Sequence, residues 1–559
     1  MARKKNNNSF LLQGSILAAA SLIVRIIGLF YRIPMQRIIG DEGMGYYIIA
    51  YDIYNIALIL SSYSLPLAVS KLVAARETNR QYKNSYRVFT TTLIIALIVG
   101  LAAASVLFFG AESFSMLLNN TPNVALPLRV LAPTILVFSI MGVFRGFYQG
   151  KGTMIPTAIS QVVEQLVKAI VSIVASYFLV KNFSASINVA SYGAAGGTLG
   201  TLVGAIISLF FLLFVYVAYR PILNKQLSRD YTRDLESYKD ISKLLALTVL
   251  PIIISQTVYH ISGVVDNSLF SHIMNGKEIS AFDRAFFANK SAGDLYTVED
   301  ISSLIGVYGS KYRLLTNVPV AIASAIAAAS ITSISAAKAR GLDGVIRRNT
   351  HAAIKFCMII AIPATFGMAI LASPILQLLF NDSSVLAPNL LKLGSVAIVF
   401  FSLSTVSTSI LQGINKLKIP VINSTISLVI HIVLVYLLLN FTSLSTYGLV
   451  IGNVTFAMVT SILNWIAIEK YLDYQQEIVK TFVIPTISSA IMAIVVYFSY
   501  KGLIILTGLN WLSTLISILV AIIIYLIAML LLKGISEEEI YSFPKGDTFV
   551  AILKKLRLL

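Results

Sequence analysis

Long apolar stretches alternate with short polar connections from near the start of the chain to about residue 533, and few folds accommodate that alternation. With boundaries good to a few residues, the stretches are 10–39, 44–74, 86–110, 124–149, 154–180, 193–218 and 241–272. They continue as 302–337, 350–379, 386–412, 418–440, 445–468, 481–502 and 508–533. A helix needs about 20 consecutive apolar residues to cross a bilayer core. Inside lipid the backbone must satisfy its own hydrogen bonds, which a helix does. The pattern therefore predicts an all-α membrane protein with about 14 transmembrane helices. The balance of 57% hydrophobic to 12% charged residues fits that class and excludes a soluble globule. The first stretch is too long for a signal peptide and carries arginines in its core.

Basic residues set the orientation. Arg3, Lys4 and Lys5 precede the first stretch, and Arg76, Arg80, Lys83 and Arg87 follow the second. Arg220, Lys225, Arg229, Arg233, Lys239 and Lys243 fill the connection after the sixth. Lys338, Arg340, Arg347 and Arg348 follow the eighth, Lys416 and Lys418 the tenth, and Lys554, Lys555 and Arg557 close the chain. With fourteen spans all of these share one side, which the positive-inside rule makes cytoplasmic, together with both termini. The net charge of +18 then reflects topology. No basic soluble domain is present to bind nucleic acid. A single cysteine, Cys357, excludes an internal disulfide framework, and four scattered histidines give no zinc spacing. No P-loop motif occurs, so the chain encodes no ATP hydrolysis of its own. No cofactor or metal is expected.

The sequence repeats itself. Y-Q-G-K-G-T-M-I-P ends at Pro156 and L-Q-G-I-N-K-L-K-I-P ends at Pro420, and the same spacing carries Ala74–Arg76 onto Lys338–Arg340. Spans 1–6 and 7–12 read as two parallel six-helix repeats forming two lobes around a central cavity, with two further C-terminal helices. The expected division is an N-lobe over 1–218, a basic cytoplasmic linker over 219–240, a C-lobe over 241–470, and helices 13–14 with a basic tail over 471–559. Two copied bundles around a cavity suit an alternating-access transporter.

Ionisable residues at membrane depth mark function because they are costly there. Arg25 and Arg32 lie in the first stretch, in R-I-I-G-L-F-Y-R, on one helical face. At about 1.5 Å per residue from Phe10, Arg25 sits roughly 22 Å in. Guanidinium forks bind carboxylate and phosphate oxygens in pairs, so two stacked arginines point to an anion. Snorkelling to the headgroups is the plainer reading for Arg32. Asp52 and Asn55 follow one turn apart, and Asp52 is a candidate partner for a helix 1 arginine. Glu164 and Lys168 have the spacing of an i,i+4 ion pair. Gln256 and His260 share a face, and Asp266 lies toward the outer end of the same span. Lys311, Arg313 and Asn317 precede Pro319, and Arg313 is the candidate second-half arginine. Asp41 and Glu42, between the first two spans, leave a membrane glycosyltransferase open as a different class of function, although turn chemistry beside Gly40, Gly43 and Gly45 also explains them.

R-I-I-G-L-F-Y-R, I-I-G-D-E-G-M-G-Y-Y and the Q-G-K-G…I-P turn together resemble the multidrug/oligosaccharidyl-lipid/polysaccharide exporter superfamily, over essentially all fourteen spans. Within it, the chain resembles the bacterial branch with the MurJ-type lipid II flippases and stage V sporulation protein B. The resemblance implies a plasma-membrane flippase for undecaprenyl-pyrophosphate-linked glycans, most directly lipid II of peptidoglycan biosynthesis. It implies pyrophosphate binding by Arg25, Arg32 and Arg313, with a groove at helices 13–14 for the lipid tail. It also implies cell-wall synthesis machinery and membrane lipids as partners. The family's arginine late in helix 2 has no counterpart, because Ile56–Leu60 is apolar. Energy would come from the membrane potential, Na+ or H+, with Asp52, Glu164 and Asp266 as candidate coupling sites. Another lipid-linked polysaccharide unit is the alternative cargo. A drug/cation antiporter of the same superfamily is the alternative transporter, and arginines in the cavity disfavour it.

Overall fold

The computed structural model describes residues 16–17, 19–232, 234–287, 289–535 and 537, with the backbone alone at 251, 255, 258, 259 and 332. The basic residues expected at both chain ends, and Arg233, lie outside the described residues. In chain order the helices are α1 (Ala19–Phe30), α2 (Arg32–Leu58), α3 (Leu65–Thr78), α4 (Tyr82–Asn119), α5 (Ala125–Gly150), α6 (Ile155–Asn182) and α7 (Val189–Ser228). Next come α8 (Tyr238–Met274), α9 (Ala281–Arg284), α10 (Val298–Val307), α11 (Leu314–Ala339), α12 (Asp343–Ile370) and α13 (Ala372–Phe380). The series ends with α14 (Leu386–Gly394), α15 (Ala397–Gly413), α16 (Lys418–Phe441), α17 (Thr446–Leu472), α18 (Ile484–Thr507) and α19 (Asn510–Leu531). No strand occurs among the described residues. Eleven helical stretches there are long and apolar enough to cross a membrane, or twelve with the pair α14–α15, which is bent by 43°.

The run from Arg32 to Leu58 is broken at Gly40, whose φ of 72° and ψ of −178° lie in a region that is essentially glycine's alone. This break falls between the first two apolar stretches of the sequence. Arg32 thus belongs to the same rod as α1, where Ile27 C=O accepts from Tyr31 N–H at 3.1 Å.

The chain forms two compact units. Unit 1 runs to Lys277 and adds Leu295–Ser310, and unit 2 is Glu278–Asp294 and the chain from Lys311. In unit 1 the packing is governed by glycines. A Cβ at Gly196 would lie 2.6 Å from the Ser176 backbone, one at Gly200 2.6 Å from Lys168 C=O, and one at Gly204 2.6 Å from Glu164 C=O. Bare Cα atoms let α7 press directly on α6, a common way for helices to associate in lipid. Ser172 and Ser176 hydroxyls then donate across the seam to Gly197 C=O (2.7 Å) and Gly193 C=O (3.0 Å). α8 and α10 also pack in unit 1. Asn267 on α8 donates to Asp52 on α2 at 2.9 Å, and Gly45 on α2 abuts Ser302 on α10.

The basic connection between α7 and α8 is clamped to unit 1 at the ends of α3 and α4. The buried Arg76 donates to both carboxylate oxygens of Glu236 and, at 2.8 Å, to Leu72 C=O. Asn84 bridges Asp234 C=O and Glu236 N–H, and Lys83 N–H donates to Asp230 at 2.6 Å.

Unit 2 has a core of residues such as Ile346, Met358, Val406 and Ile410. α18 and α19 attach to it through Leu371, Met492, Val496, Tyr525 and Met529. Hydrogen bonds from Asn510 to Pro374 C=O (3.1 Å) and from the Tyr525 hydroxyl to Ile359 C=O (2.9 Å) help to hold them.

The sequence repeat has a backbone counterpart. Left-handed residues end helices at Arg80, Asn120 and Gly152 in unit 1, and at Gly341, Asn381 and Asn415 in unit 2. At Arg80, Gly152, Gly341 and Asn415 the N–H of the next residue closes a wider loop onto the carbonyl five before it, as in Thr153 N–H to Tyr148 C=O (3.1 Å) and Lys416 N–H to Leu411 C=O (2.9 Å), while at Asn120 and Asn381 it reaches the carbonyl six before. That is the glycine-type helix stop that satisfies the last carbonyls.

Candidate anion site in unit 1

The site residues lie on α1, α2, α6 and α7. Gly28 on α1 faces Gln165 on α6, where an added Cβ would come within 3.2 Å of the amide nitrogen. One helical turn on from this contact, Arg32 and Lys168 both reach a cluster of phenols. The Tyr31 and Tyr47 hydroxyls share a hydrogen bond of 2.9 Å, and Tyr51 is hydrogen-bonded to Thr201 on α7. The Lys168 ammonium stands over the Tyr51 ring at 4.8 Å and the Tyr31 ring at 5.9 Å. Arg32 is hydrogen-bonded to Tyr31 and close enough to Tyr47 and Tyr51 to interact with them electrostatically, and its Nε is buried with no hydrogen-bond partner among the described residues. An orphaned buried donor on a cation is costly, and an incoming acceptor would relieve it. Two cations beside a cluster of phenols make this the candidate site for an anion.

Glu164 does not serve as the ion partner that its spacing to Lys168 suggests. Its carboxylate accepts from Arg145 on α5 at 2.8 Å, and Arg145 also donates to Ser160 (2.9 Å) and Ser208 (3.2 Å). Arg145 escaped the sequence reading because it lies near the C-terminal end of its helix, where a basic residue looks topological. The phenols escaped because tyrosines in an apolar stretch read as core; only their clustering reveals them.

Asp52 accepts from Asn267, and Gly263, one turn before it on α8, leaves room for the carboxylate. Asn55 and Gln256 are half-buried, His260 is exposed and Asp266 is buried. Arg25 is exposed on α1, seven residues before Arg32. Asp41 and Glu42 are engaged locally, accepting from Gln36 (2.5 Å) and from the Tyr46 hydroxyl (2.9 Å). These contacts are the turn chemistry at the α2 break. A separate apolar groove of about 530 Å³ between α2 and α4 is lined by residues such as Ile53, Leu60, Ile98 and Phe114. It has no titratable lining and does not belong to the anion site.

In unit 2, Lys311 is buried and donates to Asp382 at 2.7 Å, so its charge is balanced within the unit. Arg313, half-buried, ends the π-helical turn Tyr308–Arg313 that leads into α11, and Asn317 is exposed. Lys355 on α12 is a further buried cation that the sequence reading passed over. Burial alone would raise the Asp382 carboxyl, but Lys311 and the Ser384 hydrogen bonds outweigh it and hold it below the usual carboxylate value. A depressed folded value contributes stability that is full above the unfolded value of about 3.9. That contribution is lost as the pH falls through the folded value. The Tm difference between the wild type and Asp382→Asn should be constant from about pH 7 to about pH 5 and close below about pH 4. A difference that stays constant into acid would show that the pair is not stabilising.

The sequence matches the family described as Polysaccharide biosynthesis protein over residues 11–338, and the family described as Lipid II flippase MurJ over residues 308–541. It is 27% identical over 504 residues to Lipid II flippase MurJ of Bacillus subtilis (strain 168), covering 88% of each chain. It is 23% identical over 542 residues to Stage V sporulation protein B of the same organism, covering 96% of this chain and 98% of the relative. A solved structure titled "Lipid II flippase MurJ, inward closed conformation" shares the fold, with a TM-score of 0.64 at 18% identity over 92% of this chain and 97% of that one. An inward-facing multidrug resistance MATE transporter shares it with a TM-score of 0.62 at 18% identity over 82% and 98%. MurJ and the MATE protein are named as transporters, and none of the four is named as an enzyme. With more than half of its length matched by that family, the chain belongs to the polysaccharide biosynthesis protein family.

Proposed function

We propose that this protein is a flippase that carries a prenyl-pyrophosphate-linked glycan precursor across a bacterial plasma membrane by alternating access of two lobes. Lipid II is the cargo we put first, and another lipid-linked polysaccharide unit the alternative. The observation that carries the reading is Arg32: a cation at membrane depth, among phenols, with a buried Nε that lacks a partner among the described residues. Such a group suits an anionic cargo and repels a cationic drug. Arg25 and Arg313 are the other two pyrophosphate ligands in this reading, and the prenyl tail follows α18 and α19. The chain is multi-pass with both termini cytoplasmic. Movement is driven by the membrane potential or by coupled Na+ or H+. Asp52 and Asp266 are the coupling candidates, because Glu164 is committed to Arg145.

The test is depletion of the protein in its host, with any paralogue deleted, followed by analysis of lipid-linked precursors on each leaflet. The expected result is accumulation on the cytoplasmic leaflet of one prenyl-pyrophosphate glycan, reversed by the wild type and not by Arg32→Ala. Unchanged precursor pools, or full rescue by Arg32→Ala, would refute the proposal.

A further inference from the structure

The position of Lys168 deepens the reading just given and rests on it. Its ammonium is held by the faces of Tyr51 and Tyr31, at 4.8 and 5.9 Å, while Glu164, one turn away on the same helix, is occupied by Arg145. Cation–π contacts are weak attractions. A charge-assisted hydrogen bond to an anion is stronger. The lysine therefore has a resting place that a phosphate oxygen can outcompete. Arg32 is hydrogen-bonded to Tyr31 and interacts electrostatically with Tyr51.

We propose that Lys168 is a phosphate-binding residue that forms, with Arg32, a two-cation subsite for a diphosphate within unit 1. A diphosphate linking a lipid to a sugar carries one negative charge on each phosphate, so one cation per phosphate balances it. Arg32 supplies the fork that grips one phosphate, and Lys168 supplies a point charge on a flexible stem for the other. The Tyr31 and Tyr51 rings hold the ammonium between ligands, and their hydroxyls and that of Tyr47 are additional donors. The backbone contacts of Gly200 and Gly204 with Lys168 and Glu164 set the height of the lysine on α6.

The experiment uses the full-length protein in nanodiscs with inorganic pyrophosphate as probe and inorganic phosphate as comparison. Binding is measured by calorimetry. Lys168→Gln is expected to raise the pyrophosphate Kd at least tenfold and the phosphate Kd by much less, whereas Lys168→Arg stays within threefold of the wild type. Independently of any variant, pyrophosphate should slow acylation of Lys168 by an amine-reactive reagent at least fivefold, read by mass spectrometry, without slowing that of Lys225. Wild-type protein that does not bind pyrophosphate, a Lys168→Gln Kd within twofold of the wild type, or acylation unaffected by pyrophosphate would each overturn the assignment. If Lys168 binds pyrophosphate and depletion leaves the precursor pools unchanged, the subsite stands and the cargo is wrong. If precursors accumulate and Lys168→Gln binds normally, the flippase reading stands and the subsite is wrong.

Discussion

Arg145→Ala is expected to destabilise the protein by about 3–5 kcal/mol, the usual cost of removing one partner of a buried ion pair. The side chains of Arg145 and Glu164 are only 10% and 16% exposed. The truncation leaves the Glu164 carboxylate without its cation and takes donors from Ser160 and Ser208. The penalty comes from stranding a charge and not from the worth of the pair, so Arg145→Met combined with Glu164→Leu should recover much of the loss. Thermal unfolding of the purified single and double variants measures this. If Arg145→Ala unfolds at the wild-type temperature, the pair is not the buried node described above.

Gly45→Ala should be nearly as damaging although it adds a single carbon. The new Cβ would lie 1.9 Å from Ser302 C=O, and a Cβ at Gly306, on the facing helix, would lie 1.9 Å from Asp41 C=O. Both obstacles are backbone, which cannot rotate away, so α2 and α10 would have to separate. Overpacking typically costs about 1–3 kcal/mol, and we expect the upper end or beyond. Gly367→Ala is the control, because nothing lies within 4 Å of its added Cβ. Its effect should be neutral or stabilising by up to about 1 kcal/mol, as for any helix-interior glycine replaced by alanine. The yield of monodisperse protein after extraction, with its Tm, separates the two. Equal behaviour of the two variants would contradict the close approach of α2 and α10.

Some features were legible residue by residue. Lipid imposes length and apolarity on any helix that crosses it, so the apolar stretches announced the helical architecture. Gly40, between two such stretches, marked a break because no side chain tolerates its backbone angles. Arg25 and Arg32 stood out because charge in an apolar stretch is rare. The repeated Q-G turn pointed to helix stops that recur in both units. Partner choice was not legible. Glu164 and Lys168 have the spacing of a pair along one helix, yet one meets Arg145 from α5 and the other the rings of Tyr31 and Tyr51. Asp52, a candidate partner for a helix 1 arginine, accepts from Asn267, 215 residues away. Lys311 finds Asp382 across 71 residues.

The sequence by itself determined that this chain lives in a membrane, that its fold is helical, and that its first helix carries cations suited to an anion. Those properties follow from local composition and period, which every segment carries alone. Only the tertiary structure decided which cations are already neutralised and which still face an unfilled demand. Long charged side chains reach several ångströms from their own helix, and what they meet depends on glycine seams that bring other helices within that reach. Arg32 and Lys168 meet the same tyrosines for that reason: Gly28, Gly200 and Gly204 bring their helices together, and no spacing along the chain records it.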